Sequence, residues 1–166
     1  PPVPRPALEY TRNLQAGALP GFLAGRPQAL VLDARPSQEF RKERLAQSAW
    51  VVRPTLLERA AGRAGQAIVL LGSDRRKLEL LAQDLEEAGH HDIHMAVMDS
   101  AEIKACGLPL ASGAEALPDS ACFDFLFFVH DRHDGNKAAA RQYLEWETGL
   151  VPRLDEQERN TFSIGH

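Results

Sequence analysis

The feature that most constrains this chain is a switch of pattern within "AIVLLGSDRRKLELLAQDLEEAG", Ala67 to Gly89. Ala67 to Leu71 is an unbroken apolar run, and Gly72, Ser73 and Asp74 then make a turn. An apolar run of that length, bounded by turn residues, reads as a strand buried on both faces. Beyond the turn, Leu78, Leu81, Ala82, Leu85 and Ala88 fall on one stripe of a 3.6-residue period. Gly89 suits the left-handed position that closes such a helix. "ALVLD" (Ala29 to Asp33), "SAWVV" (Ser48 to Val52, limited by Pro54) and "DIHMAVM" (Asp92 to Met98) are further strand candidates. "QEFRKERL" reads as a short charged helix. Leu8 to Ala18 reads as an opening helix closed by "GALPG". Strands alternating with helices imply an α/β fold, with a mostly parallel central sheet flanked by helices.

A length of 166 residues suits one domain with an appendage. Apolar residues at 44% and charged residues at 25% fit a soluble globular protein. A net charge of −4 argues against nucleic acid as the main partner. No run approaches the roughly 18 apolar residues of a membrane span. The opening "PPVPRP" lacks the apolar core of a signal peptide, and residues 1–6 read as a linker-like lead-in. Two cysteines, Cys106 and Cys122, without CxxC spacing, point to a reducing cytoplasm. After Gly113 the composition changes to "CFDFLFFV", then "HDRHDGN", then a helix with Ala139, Tyr143, Trp146 and Leu150 on one face. So wide a face must pack on the main domain or on another subunit. The expected organisation is a lead-in at 1–6, a main domain at 7–112 and a helical C-terminal extension at 113–166.

These pieces resemble the rhodanese-like domain of the sulfurtransferase family, over roughly Ala7 to Ser112. "ALVLDARPSQEF" is similar to that family's strand ending in Asp-x-Arg before a Glu-Phe helix. "RLAQSAWVVRPTLLE" resembles the segment that usually reads His-Ile-Pro-Gly-Ala, with Ser48-Ala49 standing for Gly-Ala. "AIVLLGSDRRKLELLAQDLEEAGHHDIHMAVM" resembles the strand, active-site loop, helix and next strand, and "AEIKACGLPLASG" the closing Gly-Leu-Pro segment. The resemblance implies a loop cysteine that accepts a sulfane sulfur as a persulfide and passes it to a nucleophile. A thiolate at a helix N-terminus, ringed by backbone N–H groups, is stabilised for that chemistry. Counting back five residues from Arg76, the usual loop arginine, gives Leu71, and no cysteine precedes Cys106. The family's Gly-Gly after the fourth strand is Met98-Asp99 here, and its closing Trp is Ile103.

The expectation is therefore a sulfurtransferase-like domain that is catalytically silent, with a structural, binding or regulatory role. Two alternatives remain open. A cysteine supplied by another domain or subunit would allow sulfur transfer from a thiosulfate-type donor. The C-terminal extension would alternatively make the chain an oligomerisation module or homodimer. The resemblance also suggests one piece of a tandem rhodanese protein, and the start at Pro1 rather than Met is consistent with that. Gly72, Ser73, Asp74, Arg75 and Arg76 are the candidate ligand site. Its bland reading is a strand-to-helix turn capped by Ser73 or Asp74. Its sharper reading is a pocket for a small anion or a partner's carboxylates, because three successive cations occupy a helix start where the macrodipole disfavours them. Asp33 and Arg35 read as supporting residues that tie neighbouring loops. Cys106 and Cys122 read as small buried hydrophobes. His130, Asp131, His133 and Asp134 match no established metal-ligand spacing, so no metal and no cofactor are expected.

Overall fold

A computed structural model of the chain describes residues 8–125. In chain order its elements are β1 (Thr11–Asn13), α1 (Leu19–Ala24), β2 (Leu30–Asp33), α2 (Ser37–Lys42), β3 (Arg44–Leu45) and β4 (Ser48–Trp50). There follow α3 (Leu56–Ala60), β5 (Ile68–Gly72), α4 (Arg75–Glu87), β6 (Ile93–Val97), α5 (Ser100–Ala105) and β7 (Leu110–Ala111). Five strands form one sheet in the order β1-β6-β5-β2-β4, and each neighbouring pair is parallel. β3 and β7 form a separate antiparallel ribbon.

The apolar runs are continuous because both faces of the sheet are covered. Leu32, Ile68, Leu70, Ile93 and Met95 pack with Leu56 and Ala60 of α3 and with Leu78, Leu81, Ala82 and Leu85 of α4. Their sequence neighbours Val31, Val69, Leu71 and Ala96 pack on the other face with Leu19 and Leu23 of α1 and Ile103 of α5. The period-2 alternation of a strand thus divides each run between two cores. The stripe expected on α4 is buried from Leu78 to Leu85, while Ala88 is exposed. Gly89 takes φ +88°, and the amides of Gly89 and His90 donate back to Glu86 and Leu85, the bonding of a Schellman close.

Leu8 to Ala18 is not a helix. Its centre is β1, an edge strand that pairs Thr11 with Ile93 and Asn13 with Met95. The first α-helix starts at Leu19, with Pro20 in its first turn, where a missing N–H has no partner to lose. "GALPG" therefore marks a helix start, not a stop. Tertiary pairing with β6 outweighs the local helical pattern. β1 is also held from α4. Glu86 accepts bonds from the Glu9 amide (3.0 Å), the Tyr10 amide (2.9 Å) and the Thr11 hydroxyl (2.6 Å). Burial alone would raise its carboxyl pKa, yet the bonds from Thr11, Glu9 and Tyr10 outweigh it and hold the group below its ordinary value.

The expected extension starts beside α2. Gly113 bonds Arg41 and Arg44, Arg41 reaches Leu117 O and Asp119, and Asp124 accepts from the Ser37 amide at 2.8 Å. Leu117 and Cys122 are buried there. The linker-like residues 1–6, the His130–Asp134 cluster and the Tyr143/Trp146 helix lie outside the described residues. No described helix is long and apolar enough to cross a membrane.

Candidate functional site

The chain leaves β2 towards β4 and leaves β5 towards β6, in opposite directions across the sheet. The carboxyl ends of β2 and β5 therefore flank the point where the winding reverses, the usual ligand crevice of an open α/β sheet. Every site residue read from the sequence lies at this point.

On the β2 side, Asp33 and Arg35 are buried together. The Arg35 guanidinium contacts the Asp33 carboxylate at 2.7 Å through Nη2 and at 3.1 and 3.2 Å through Nε. Two further donors reach Glu43 O and Ser100 Oγ, each at 2.9 Å, and the Ser100 hydroxyl donates to Glu39. The Trp50 indole donates to Arg35 O at 2.9 Å. Isolated charges this deep would be costly. Here the charges are paired, and the pair's bonds join the end of β2 to α2, β4 and the start of α5.

On the β5 side, Leu71 is not in a loop. It lies within the strand, in register with Asp33 and Ala96, fully buried, and its carbonyl accepts from the Ala34 amide. The strand ends at Gly72, whose carbonyl accepts from Met98. A Cβ at Gly72 would stand 3.2 Å from Leu78 Cδ2 and 3.7 Å from Ala34 Cβ, so the neighbouring elements close over this residue. Only Ser73 separates the strand from Asp74, the N-cap of α4. Asp74 Oδ1 accepts from the amides of Arg76 (2.9 Å) and Lys77 (3.2 Å). Two of the N–H groups expected to be free are thus occupied by a carboxylate.

The three cations divide by role. Arg75 donates to Asn13 Oδ1 at 3.0 Å and lies 3.8 Å from Glu79. Lys77 spans the crevice and donates to Ala34 O at 2.6 Å. Arg76 is exposed, with no side-chain partner among the described residues. The macrodipole penalty on the cations is offset by Asp74 at the cap and by these acceptors.

The departures noted in the sequence also have structural partners. Met98 fills the core beside Leu71. Asp99 caps α5 through a reciprocal pair with Glu102, a box that "DSAE" spells out in advance. Ile103 is fully buried, and the thiols of Cys106 and Cys122 donate to the carbonyls of Ile103 and Pro118. An open hollow of about 250 Å³ lies at the opposite, amino end of the sheet, between Arg26, Gln28, Gln66 and Asp92.

No protein-family model and no curated protein sequence matches the chain. Solved structures do. Thiosulfate sulfurtransferase from Pseudomonas aeruginosa superposes with a TM-score of 0.63 over 93% of this chain and 29% of its own, at 22% identity. The solution structure of the rhodanese-like domain of an Anabaena sp. protein gives 0.51 over 71% of this chain and 90% of its own, at 20% identity. A crystal structure of protein from the same source gives 0.52 over 60% and 92%, also at 20% identity.

The chain has the rhodanese-like fold. Identities this low carry the likeness of fold and nothing finer. Leu71, which the count from Arg76 gives as the place of a loop nucleophile, is an in-strand core position. The turn that follows it is a single residue and a cap. Sequence reading missed Glu39, Ser100 and the Lys77 bridge, since each acts across elements far apart in the chain.

Proposed function

We propose that this chain is a sulfurtransferase-family domain without catalytic activity, whose role is structural, binding or regulatory. The observation that supports this most is Leu71, fully buried inside β5 at the place expected for the persulfide-forming cysteine. The closed crevice supports it further. Ala34 bonds Leu71, Lys77 bonds Ala34, and Leu78 packs on Gly72. The same closure argues against a cysteine reaching in from another domain. Ser73, Asp74, Arg75 and Arg76, with Gly72 behind them, form the surface that would meet a small anion or a partner's carboxylates, and Arg76 is its outward cation. The natural setting of such a domain is beside an active one. The thiosulfate sulfurtransferase that it superposes on has a chain more than three times the matched length, which agrees with one silent domain among several.

A thiosulfate:cyanide assay and intact-mass detection of a persulfide test the reading. The expected result is no turnover and no added sulfur. Turnover by the unaltered chain would overturn it, and turnover that survives Cys106→Ser and Cys122→Ser together would do so without either thiol.

A further inference from the structure

We propose that β1 is a latch on α4 whose seating sets whether Arg75 is held away from the turn at Ser73, a form of regulation that rests on the binding role proposed above for that turn. β1 is the outermost strand and is three residues long. Thr11 is half-buried, while Arg12 and Asn13 are exposed. The strand itself therefore buries little apolar surface, although Leu8 and Leu14 on either side pack partly on the two cores. Its sheet bonds include Ile93 N to Tyr10 O at 3.3 Å and Leu14 N to Met95 O at 2.8 Å.

What fixes β1 is polar, and it acts at both ends of α4. Near the helix C-terminus, Glu86 takes the amides of Glu9 and Tyr10 and the Thr11 hydroxyl. In the first turn, Arg75 reaches Asn13. Along an α-helix these two positions are about 16 Å apart, so the strand is pinned along the helix rather than at one point. The Tyr10 and His91 rings meet tilted at 38°, with centroids 4.2 Å apart, and Arg12 lies 3.6 Å from Asp92. These are exposed contacts of small worth.

The consequence reaches the turn. With β1 seated, the half-exposed Arg75 guanidinium is held at Asn13, while the Arg76 side chain has no partner among the described residues. With β1 lifted, Arg75 keeps only Glu79, at 3.8 Å on its own helix, and is free to stand beside Arg76. Two unheld cations then flank the turn instead of one. A carboxylate at residue 86 thereby governs where a cation stands at the other end of the helix.

The test uses the ¹⁵N-labelled full chain with Glu86→Ala and Asn13→Ala. Glu86→Ala is expected to speed amide exchange at Leu14 and Ile93 about tenfold, since charge-assisted bonds are lost. It is also expected to move the Ser73–Arg76 amide signals and the Arg75 Nε–H signal. Asn13→Ala moves the same turn signals without disturbing the Glu9 and Tyr10 amides. Sulfate then saturates the turn of both variants at lower concentration than in the unaltered chain. Faster exchange in β1 with the turn signals and Arg75 Nε–H unmoved would overturn the latch. So would Asn13→Ala leaving Arg75 Nε–H in place, a result that stands even if Glu86→Ala fails to fold. Turn signals that move with the substitutions, but not with sulfate, support the latch and remove the anion reading alone.

Discussion

At the carboxyl end of β2, two charged side chains are buried and bonded to each other. At the carboxyl end of β5, one strand away, the buried residue is a leucine and the charges stand outside. The Asp33–Arg35 pair ties four elements, and neither partner can be removed without stranding the other in the interior. Leu71 has no such obligation. Its side chain touches apolar neighbours on one face of the sheet, and a leucine there adds apolar burial that a smaller thiol does not. A position that only packs is thus free to be any apolar residue that fits, whereas a position that holds loops together is not.

The largest expected effect tests the β2 side. Arg35→Met leaves the Asp33 carboxylate buried without a partner, and stability measured by urea unfolding should fall by about 3–5 kcal/mol. Replacing both residues together with apolar ones should recover much of that loss, because the cost lies in the orphaned charge. A loss well under about 1 kcal/mol for the single change would mean that the pair is hydrated and that the comparison fails. On the β5 side, Leu71→Ala should cost about 2–5 kcal/mol, as a large-to-small change in a packed core does. Leu71→Cys sharpens the point. Its thiol should stay unreactive towards an aromatic disulfide reagent under native conditions, while a thiol in Ser73→Cys should react at once. A reactive thiol at 71 would show that the crevice opens.

How much of this was legible beforehand depended on how local the cause was. The runs "ALVLD" and "AIVLL" announced buried strands because both faces of each are covered, and coverage leaves its mark residue by residue. The stripe from Leu78 to Leu85 and Gly89 behind it announced α4 for the same reason. β1 was misread because "TRN" has no apolar signature; it is a strand only because β6 and Glu86 hold it there. The site divided likewise. Asp33, Arg35 and the turn at Gly72 were visible as strand-end residues. The occupancy of the turn was not, since the Lys77–Ala34 bond joins positions far apart in the chain. Asp74 was legible as a possible cap, but its effect on the anion reading needed the geometry of both amides.

Asp74→Ala follows in size. Losing the cap should cost about 1 kcal/mol. It also frees the Arg76 and Lys77 amides and removes a negative charge from the helix start, so sulfate should bind the turn more tightly. Stability and anion affinity would then move in opposite directions, which no change on the β2 side should produce. Unchanged sulfate affinity would leave the turn as a cap and nothing more.

The smallest effect on stability separates the two sides most cleanly. Arg76 is exposed, and its side chain has no partner among the described residues. Arg76→Ala should therefore change unfolding free energy by no more than about 0.5 kcal/mol. Its neighbours differ. Lys77→Ala leaves Ala34 O without its donor, and Arg75→Ala releases Asn13, so each disturbs the fold as well as the charge. If the turn binds an anion, Arg76→Ala alone should weaken sulfate binding, read from the Ser73 and Arg75 amide shifts, with thermal unfolding unaltered. Sulfate affinity equal to that of the unaltered chain would mean that the outward cation is ordinary surface. The β5 end would then be structural throughout, like the β2 end, and the comparison would reduce to buried charge against buried leucine.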